Sequence, residues 1–305
     1  MTSIVIPAHN EERVIGRLLD ALTSDYCSES GDPAAGQPPD IVVVCNGCTD
    51  DTAKVAGVRP GVRVVEIPVP SKHVALRTGD EHARGFPRLY VDADVVLGAG
   101  DVTALTDALA GAPGLLAAAP ERELPMTGCD WRVRAYYRVW TRLPAVREGL
   151  FGRGVIAVTE KGYDRLAALP PLMADDLAAS LAFAPGERTV VAAARVVVRP
   201  PRTWADLVRR RIRAAVSTAQ LEHRQARSAG VGEPRPEGAP EQDAAPPSAR
   251  TSTGDLRTLL RREPGLLPSV AVFLAAAVTA RRRAAKTIRD QDFGTWLRDE
   301  SSRQG

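Results

Sequence analysis

Leu89-Tyr90-Val91-Asp92-Ala93-Asp94-Val95-Val96 carries apolar residues into two aspartates separated by one small residue, then returns to β-branched residues. The pattern reads as a buried strand that delivers carboxylates at its carboxyl end. Two carboxylates there can hold a divalent cation against a diphosphate, because such a metal takes hard oxygen ligands and shares them with phosphates. Taken alone, the same triplet reads first as a solvated turn after a strand, since Asp favours turns. Its neighbours in the chain decide between the two.

Upstream, the same strand-then-polar pattern occurs three times. Ser3-Ile4-Val5-Ile6-Pro7 reads as a strand, and Ala8-His9-Asn10-Glu11-Glu12 as a turn and helix start in which Asn10 can cap and the two glutamates suit the positive end of the helix dipole. Val14, Ile15, Leu18, Leu19 and Leu22 then recur at helical spacing. Ser28 to Asp40, rich in Gly, Pro, Ser and Asp, reads as a surface loop. Ile41 to Val44 is a second buried strand, ending in Cys45-Asn46-Gly47-Cys48-Thr49-Asp50-Asp51-Thr52, where Thr49 or Asp50 can cap the next helix. A third strand over Val62 to Ile67 leads through Pro68 to Lys72 into a helix reaching about Arg84. Strands alternating with helices predict a mostly parallel, doubly covered sheet. In such sheets ligands sit at the carboxyl ends of strands, and the clusters Ala8–Glu12, Cys45–Asp51 and Asp92–Asp94 all fall at that edge.

Downstream, a helix is expected over Asp101 to Ala110 and strands over Leu115 to Ala119 and Val155 to Val158. Between them, the run Trp131 to Arg147 carries Trp131, Tyr136, Tyr137 and Trp140, which can line a sugar pocket or, at helical spacing, face a core. A helix over Glu160 to Ala168 stops at Pro170-Pro171, and Met173-Ala174-Asp175-Asp176-Leu177 opens another. Without context, Asp175 there reads equally as a simple cap of that helix or as part of a functional carboxylate pair. Val190-Val191 and Val196 to Val198 read as separate strand pieces, followed by a basic amphipathic helix bearing Arg209, Arg210, Arg211 and Arg213.

The chain is expected to divide into a catalytic domain over 1–227, a disordered Pro-, Ala- and Gly-rich linker over 228–254, and a helical extension over 255–305. Leu266 to Ala280 is apolar and flanked by Arg261, Arg262 and Arg281 to Arg283. A bilayer span needs roughly 20 such residues. A helix in the membrane interface, or docked on the domain, is the expectation. Trp296 to Arg303 is expected to form a surface helix or tail.

A formal net charge of +3 is too balanced to imply nucleic acid as a partner. Only four of the 40 basic residues are lysine, so the arginine runs carry a compositional bias as well as any function. The four cysteines are too few and scattered for a disulfide framework, and with no signal-like amino terminus a cytoplasmic site of action is expected.

Taken together and in order, these pieces resemble the family 2 glycosyltransferases of GT-A fold over about residues 1 to 225. The resemblance rests on Ile4 to Glu12, on Asn46-Gly47-Cys48-Thr49-Asp50-Asp51-Thr52 in place of the usual Asp-Gly-Ser-Thr-Asp, on Lys72 to Gly79, on Asp92-Ala93-Asp94, on Met173 to Leu177, and on Arg210-x-x-Arg213. It implies an α/β nucleotide-sugar-binding fold with a C-terminal helical extension. It also implies that Pro7, Ala8, Asn10, Glu11, Asn46 and Gly47 surround the nucleoside, and that Lys72, Ala93, Arg210 and Arg213 line the donor. Asp94, with Asp92, would ligate Mg2+ or Mn2+. Asp176 falls at the position of the catalytic base, with Asp175 in place of the preceding glutamate. The implied reaction transfers a sugar from a nucleoside-diphosphate sugar, UDP favoured, to an acceptor hydroxyl on a lipid-linked or small molecule, with inversion. Asn46 stands where the family has an aspartate reading the uracil edge, and an amide can both donate to and accept from that edge. Arg77 replaces a common asparagine, and Ala214 replaces the tryptophan of processive members, which points to a non-processive enzyme.

Three other readings compete. Cys45-x-x-Cys48 has redox or half-zinc-site spacing, but lacks a second cysteine pair. A nucleotidyltransferase on a similar fold would use a metal carboxylate, yet its glycine-rich amino-terminal phosphate loop is absent. A non-catalytic membrane-surface protein would rest on the basic helices alone, which also suit peripheral membrane contact by an enzyme.

Overall fold

The computed structural model describes residues 1–24, 37–169, 175–231 and 252–289. Most of the Ser28–Asp40 loop, Pro170-Pro171, Met173-Ala174, most of the expected linker and the tail Trp296–Arg303 lie outside the described residues, as does the side chain of Asp175.

The elements in chain order are β1 (Ser3–Ala8), α1 (Ile15–Thr23), β2 (Asp40–Asn46), α2 (Thr52–Gly57), β3 (Val62–Ile67), α3 (Lys72–His82), β4 (Arg88–Val91), β5 (Val96–Leu97), α4 (Ala99–Gly111) and β6 (Ala117–Glu123). Then follow α5 (Trp131–Trp140), α6 (Pro144–Glu148), β7 (Val155–Val158), α7 (Glu160–Ala167), α8 (Asp175–Leu181), β8 (Arg188–Val197), α9 (Trp204–Val231), α10 (Thr253–Arg262) and α11 (Leu267–Arg289). The chain forms two compact units: the first is Met1–Leu124, Gly152–Leu169 and Ala182–Arg199, the second Pro125–Phe151, Pro170–Leu181 and Pro200–Gly305.

The first unit holds, among the described residues, one eight-stranded sheet in the order β3-β2-β1-β4-β7-β6-β8-β5. Pairing is parallel from β3 through β4 and between β6 and β8, and antiparallel at β4–β7, β7–β6 and β8–β5. β1 and β2 are buried along their whole length, which explains why both read as unbroken apolar runs rather than as alternation. Ile4, Ile6, Ile41 and Val43 pack with Ile15, Leu18, Leu19 and Leu22 of α1 in the main core. The opposite face places Val42 and Val44 against Ala75 of α3. At the far edge of the strands, Asp40 accepts hydrogen bonds from Ser3 Oγ (3.0 Å), the Arg84 amide (3.0 Å) and Arg63, tying β1, β2, β3 and the end of α3 together.

Two features read as separate in the sequence are continuous. Val190-Val191 and Val196-Val197 belong to one strand, β8, and the β6–β8 register shifts between Pro120↔Val191 and Glu121↔Arg195. The break in the apolar pattern is that bulge, filled by Ala192 to Ala194. Asp101 bridges it: one carboxylate oxygen accepts from the Gly98 amide (3.0 Å) at the start of α4, the other from the Arg195 amide (2.8 Å).

In the second unit, α11 packs on α5 and α9. Val270, Phe273, Ala276, Ala280 and Ala284 form its buried stripe, and Phe273 stacks on Tyr136 at 5.1 Å between ring centroids. Tyr136 and Tyr137 are therefore core residues, the second of the two readings open for this aromatic run, whereas Trp131 is 59% exposed. The helix α9 continues through Ser228 to Val231, the first residues of the expected linker, and α10 begins at Thr253, before that stretch was expected to end.

Candidate active site

Because β2, β1 and β4 are parallel neighbours, their carboxyl ends emerge side by side. The loops that follow them contain the three polar clusters. The antiparallel β7 starts at this edge, since Val91 pairs with Val155, so Arg153-Gly154 joins it from the other side.

The turn after β4 keeps the alternation of a strand. Val91, Ala93, Val95 and Leu97 point into the core, while Asp92 and Asp94 are half-exposed on the opposite side. The Asp92 amide donates to the Gly154 carbonyl at 2.8 Å, and Gly154 has φ +68. A Cβ at Gly154 would lie 2.6 Å from Val95 Cγ1 and 3.3 Å from an Asp92 carboxylate oxygen, so only glycine fits against this turn. Lys72, at the start of α3, pairs with Asp92 at 2.8 Å. Ser71 holds that helix start by accepting from the Val74 amide.

The loops after β1 and β2 are knitted to each other. Asn46 Nδ2 donates to the Ala8 carbonyl at 2.7 Å, and His9 Nδ1 donates to the Asn46 carbonyl at 2.6 Å. A carbonyl only accepts, which fixes the orientation of the Asn46 amide and the tautomer of His9. Asn10 adopts φ 53, the left-handed region that asparagine tolerates, and its Oδ1 accepts from the Thr49 amide at 2.8 Å. The buried Glu11 donates its amide to Thr52 Oγ1 (2.7 Å), and Glu12 donates its own to Asp50 (3.2 Å). Burial pushes the Asp50 carboxyl up, but hydrogen bonds from Thr52 and the Glu12 amide outweigh it and hold it below its ordinary value. Gly47, at φ +57, runs so close to Pro70 that a Cβ would lie 2.8 Å from its nitrogen.

Cys45 and Cys48 belong to this packing. Burial, reinforced by Cys48, pushes the Cys45 thiol up to about 12, so it is no nucleophile. Cys48 Sγ touches the Ala8 carbonyl (3.5 Å) and the Asn10 amide (3.4 Å).

Arg17 and Arg199 were not singled out in the sequence. Arg199 follows β8, which pairs antiparallel with β5 as Val96↔Val197 and Leu97↔Val196, and it shares the electrostatic surroundings of Arg17 with Asp94. Arg17 of α1 lies in the same field: burial and Arg199 lower its pKa, while Asp94 opposes them. Arg153 is buried, donates to the Pro120 carbonyl at 2.8 Å, and is lowered to about 10 by burial, with Glu121 opposing. Only the arginine that ends the Val196-Val197-Val198 run could have been suspected from sequence.

Asp175 and Asp176 open α8 in the second unit, with Asp176 exposed and accepting from the Leu177 amide at 2.8 Å. α8 is anchored by the buried Ser180, which accepts from the Leu150 amide at 3.0 Å. Arg210 and Arg213 lie half-buried on α9 of the same unit. Arg77, the departure noted in α3, donates to the Ala167 carbonyl at the end of α7.

Asp92 and Asp94 are the residues that would hold a divalent cation. Among the described residues no cluster of three or more His, Cys, Asp or Glu side chains is placed to enclose a metal. Two carboxylates that leave the other positions to phosphate and water are the donor set expected for Mg2+ or Mn2+ at a diphosphate.

Residues 3–157, just over half of the 305-residue chain, match the family described as Glycosyl transferase family 2. The chain belongs to that family. Among solved structures, this family 2 glycosyltransferase is similar to a mannosyltransferase from Pyrobaculum calidifontis in complex with GDP-Man and Mn2+, with 21% identity over 99% of this chain and 84% of that one and a TM-score of 0.55. It is also similar to glucosyl-3-phosphoglycerate synthase from Mycobacterium tuberculosis in complex with Mn2+, UDP and glucosyl-3-phosphoglycerate, with 23% identity over 56% of this chain and 59% of that one and a TM-score of 0.40. No curated protein matches the chain. The GT-A fold expected from the sequence is borne out, and the chain is a glycosyltransferase rather than a nucleotidyltransferase or a non-catalytic binding protein.

Proposed function

We propose that the chain transfers one sugar from a nucleoside-diphosphate sugar to an acceptor hydroxyl with inversion, using Asp92 and Asp94 at the donor diphosphate and Asp176 as general base. The observation that supports this reading is the row formed by the ends of β2, β1 and β4, with both aspartates half-exposed in the last turn. When bound there, Mg2+ or Mn2+ held by Asp94 and Asp92 supplies charge stabilisation to the departing diphosphate.

The chain's own residues do the rest. Pro7, Ala8, Asn10, Glu11, Asn46 and Gly47 form the nucleoside cradle, whose hydrogen bonds between loops pre-organise it. UDP is favoured by the family resemblance, and Asn46 is compatible with it: one N–H is committed to Ala8, while Oδ1 and the second N–H match the donor and acceptor of the uracil imide edge. The guanine edge offers a similar pair and is the competing case. Lys72, Arg17 and Arg199 supply positive charge beside the two aspartates, and Arg210 and Arg213 correspond to the family's basic motif. The acceptor hydroxyl passes its proton to the Asp176 carboxylate as its oxygen bonds to the anomeric carbon. The bond from that carbon to the diphosphate breaks in the same displacement, and the electron pair leaves with the diphosphate. Ala214 in place of tryptophan supports a single transfer rather than polymerisation. The free thiols of Cys45, Cys48 and Cys129 suit a reducing, cytoplasmic setting.

A thermal-shift screen with UDP, GDP, dTDP and their sugars, each with and without Mn2+, tests the donor class, because specific binding to the native state raises its stability. A metal-dependent shift with UDP-sugars is expected. A shift with GDP-sugars alone would replace the base assignment, and no shift with any nucleotide would overturn the donor site.

A further inference from the structure

The outward face of α11 is apolar although the helix is already packed. Leu267 (63% exposed), Leu274 (45%) and Val278 (45%), with the exposed Ala271, recur at helical spacing on the side opposite the buried stripe. From Leu267 to Val278 this stripe runs about 16 Å at the helical rise. Arg281 and Arg282, both exposed, continue the same face, and the exposed Arg257, Arg261 and Arg262 of α10 lie at its other end. From Leu256 to Arg289 the sequence holds eight basic residues and one acidic residue, Glu263. Glu263 is paired with Arg142 at 3.1 Å.

An exposed apolar stripe with arginines at both ends is the composition of a helix lying at a bilayer surface.

We infer that the exposed face of α11 docks this enzyme on an anionic lipid surface, with Leu267, Leu274 and Val278 entering the headgroup boundary and Arg281 and Arg282 pairing with lipid phosphates. Pro264–Ala285 is long and apolar enough to cross a bilayer by composition. Crossing would require α11 to abandon the stripe from Val270 to Ala284 that it buries against α5 and α9, and would carry Arg281 to Arg283 into or through the hydrocarbon. Lying in the interface retains that packing and leaves the arginines at headgroup depth. This inference does not depend on which sugar donor is used.

Flotation of the full chain with vesicles tests it, comparing phosphatidylcholine alone with equal parts phosphatidylcholine and phosphatidylglycerol. The protein is expected to float with the mixed vesicles, to be released by high salt, and to float poorly with phosphatidylcholine. A Leu274→Glu/Val278→Glu variant, and separately Arg281→Glu/Arg282→Glu, should each reduce partitioning at least ~tenfold. Both pairs are exposed, and an unchanged melting temperature in each variant shows that the fold is intact. Absence of flotation with mixed vesicles, or equal flotation by the variants, overturns the inference. Retention through an alkaline carbonate wash would make α11 a span instead. A dimer in solution that the Leu274→Glu/Val278→Glu variant dissolves, without flotation of the parent, would assign the face to a second copy of the chain.

Discussion

Asn46 is held by its own amide before any base is bound, since Nδ2 faces the Ala8 carbonyl at 2.7 Å in a buried setting. Replacing it with the aspartate usual in the family would set a carboxylate against a carbonyl oxygen. Asn46→Asp is therefore expected to lower stability by about 1–3 kcal/mol at neutral pH rather than improve the site. Chemical denaturation reads this out, and a variant as stable as the parent would show that the Asn46–Ala8 bond is dispensable. At this scale the sequence was informative where the signal is local. Asp92 and Asp94 were legible as polar residues at a strand end, and both are half-exposed while Val91, Ala93, Val95 and Leu97 are buried. Arg199 was missed because what brings it into the surroundings of Arg17 and Asp94 is the pairing of β5 with β8, segments about a hundred residues apart.

Elements were legible where one pattern governed them and not where two competed. The apolar runs of β1 and β2 mark buried strands directly, β3 is a half-buried edge strand, and α4 and α7 appear close to where their spacing predicts. β8 read as two pieces because the bulge at Ala192 to Ala194 interrupts its β-branched residues, and β6 read short because its second half, Glu121 to Glu123, is polar. The helix α11 read as either docked or interfacial because it is apolar on both sides, and only its packing separates the faces. Phe273→Ala, on the buried side and stacked on Tyr136, is expected to cost about 3–5 kcal/mol. Leu274→Ala, one residue along and exposed, should change stability by no more than about 0.5 kcal/mol. Equal losses in denaturant melts would mean that α11 is not oriented as described.

The tie at the amino-terminal edge of the sheet makes a pH-dependent statement about the same scale. Burial pushes the Asp40 carboxyl up, but the Arg63 guanidinium, the Arg84 amide and the Ser3 hydroxyl outweigh it, so its pKa lies below the ordinary 3.8. A carboxyl with a depressed folded-state pKa contributes stability that is complete above its unfolded value and is lost as pH falls through the folded one. Asp40→Asn should thus destabilise the protein most at neutral pH, and the gap from the parent should narrow as pH drops below 3.8. A gap independent of pH would show that the carboxylate charge does not matter.

For the molecule as a whole, the proposed roles fall in different parts of the chain. Donor binding belongs to Asp92, Asp94 and the two loops of the first unit, and proton removal to Asp176 of the second. Deleting one should therefore leave the other measurable. Asp176→Asn is expected to abolish sugar transfer while binding donor as the parent does, and a variant that kept transferring would remove Asp176 from the base role. The GT-A fold itself was readable from the order of motifs, because each sits on a strand end that parallel pairing then gathers. The identity of the base was not, since Asn46 leaves an edge that uracil and guanine can both use.

The central claim is that the Asp92–Asp94 turn holds a metal against a nucleoside diphosphate. Calorimetric titration of UDP and GDP, with and without Mn2+, into the parent protein and an Asp94→Ala variant tests it most directly. The account predicts Mn2+-dependent binding to the parent that falls at least ~tenfold in the variant, at an unchanged melting temperature. Equal Mn2+-dependent affinity in both proteins would contradict it.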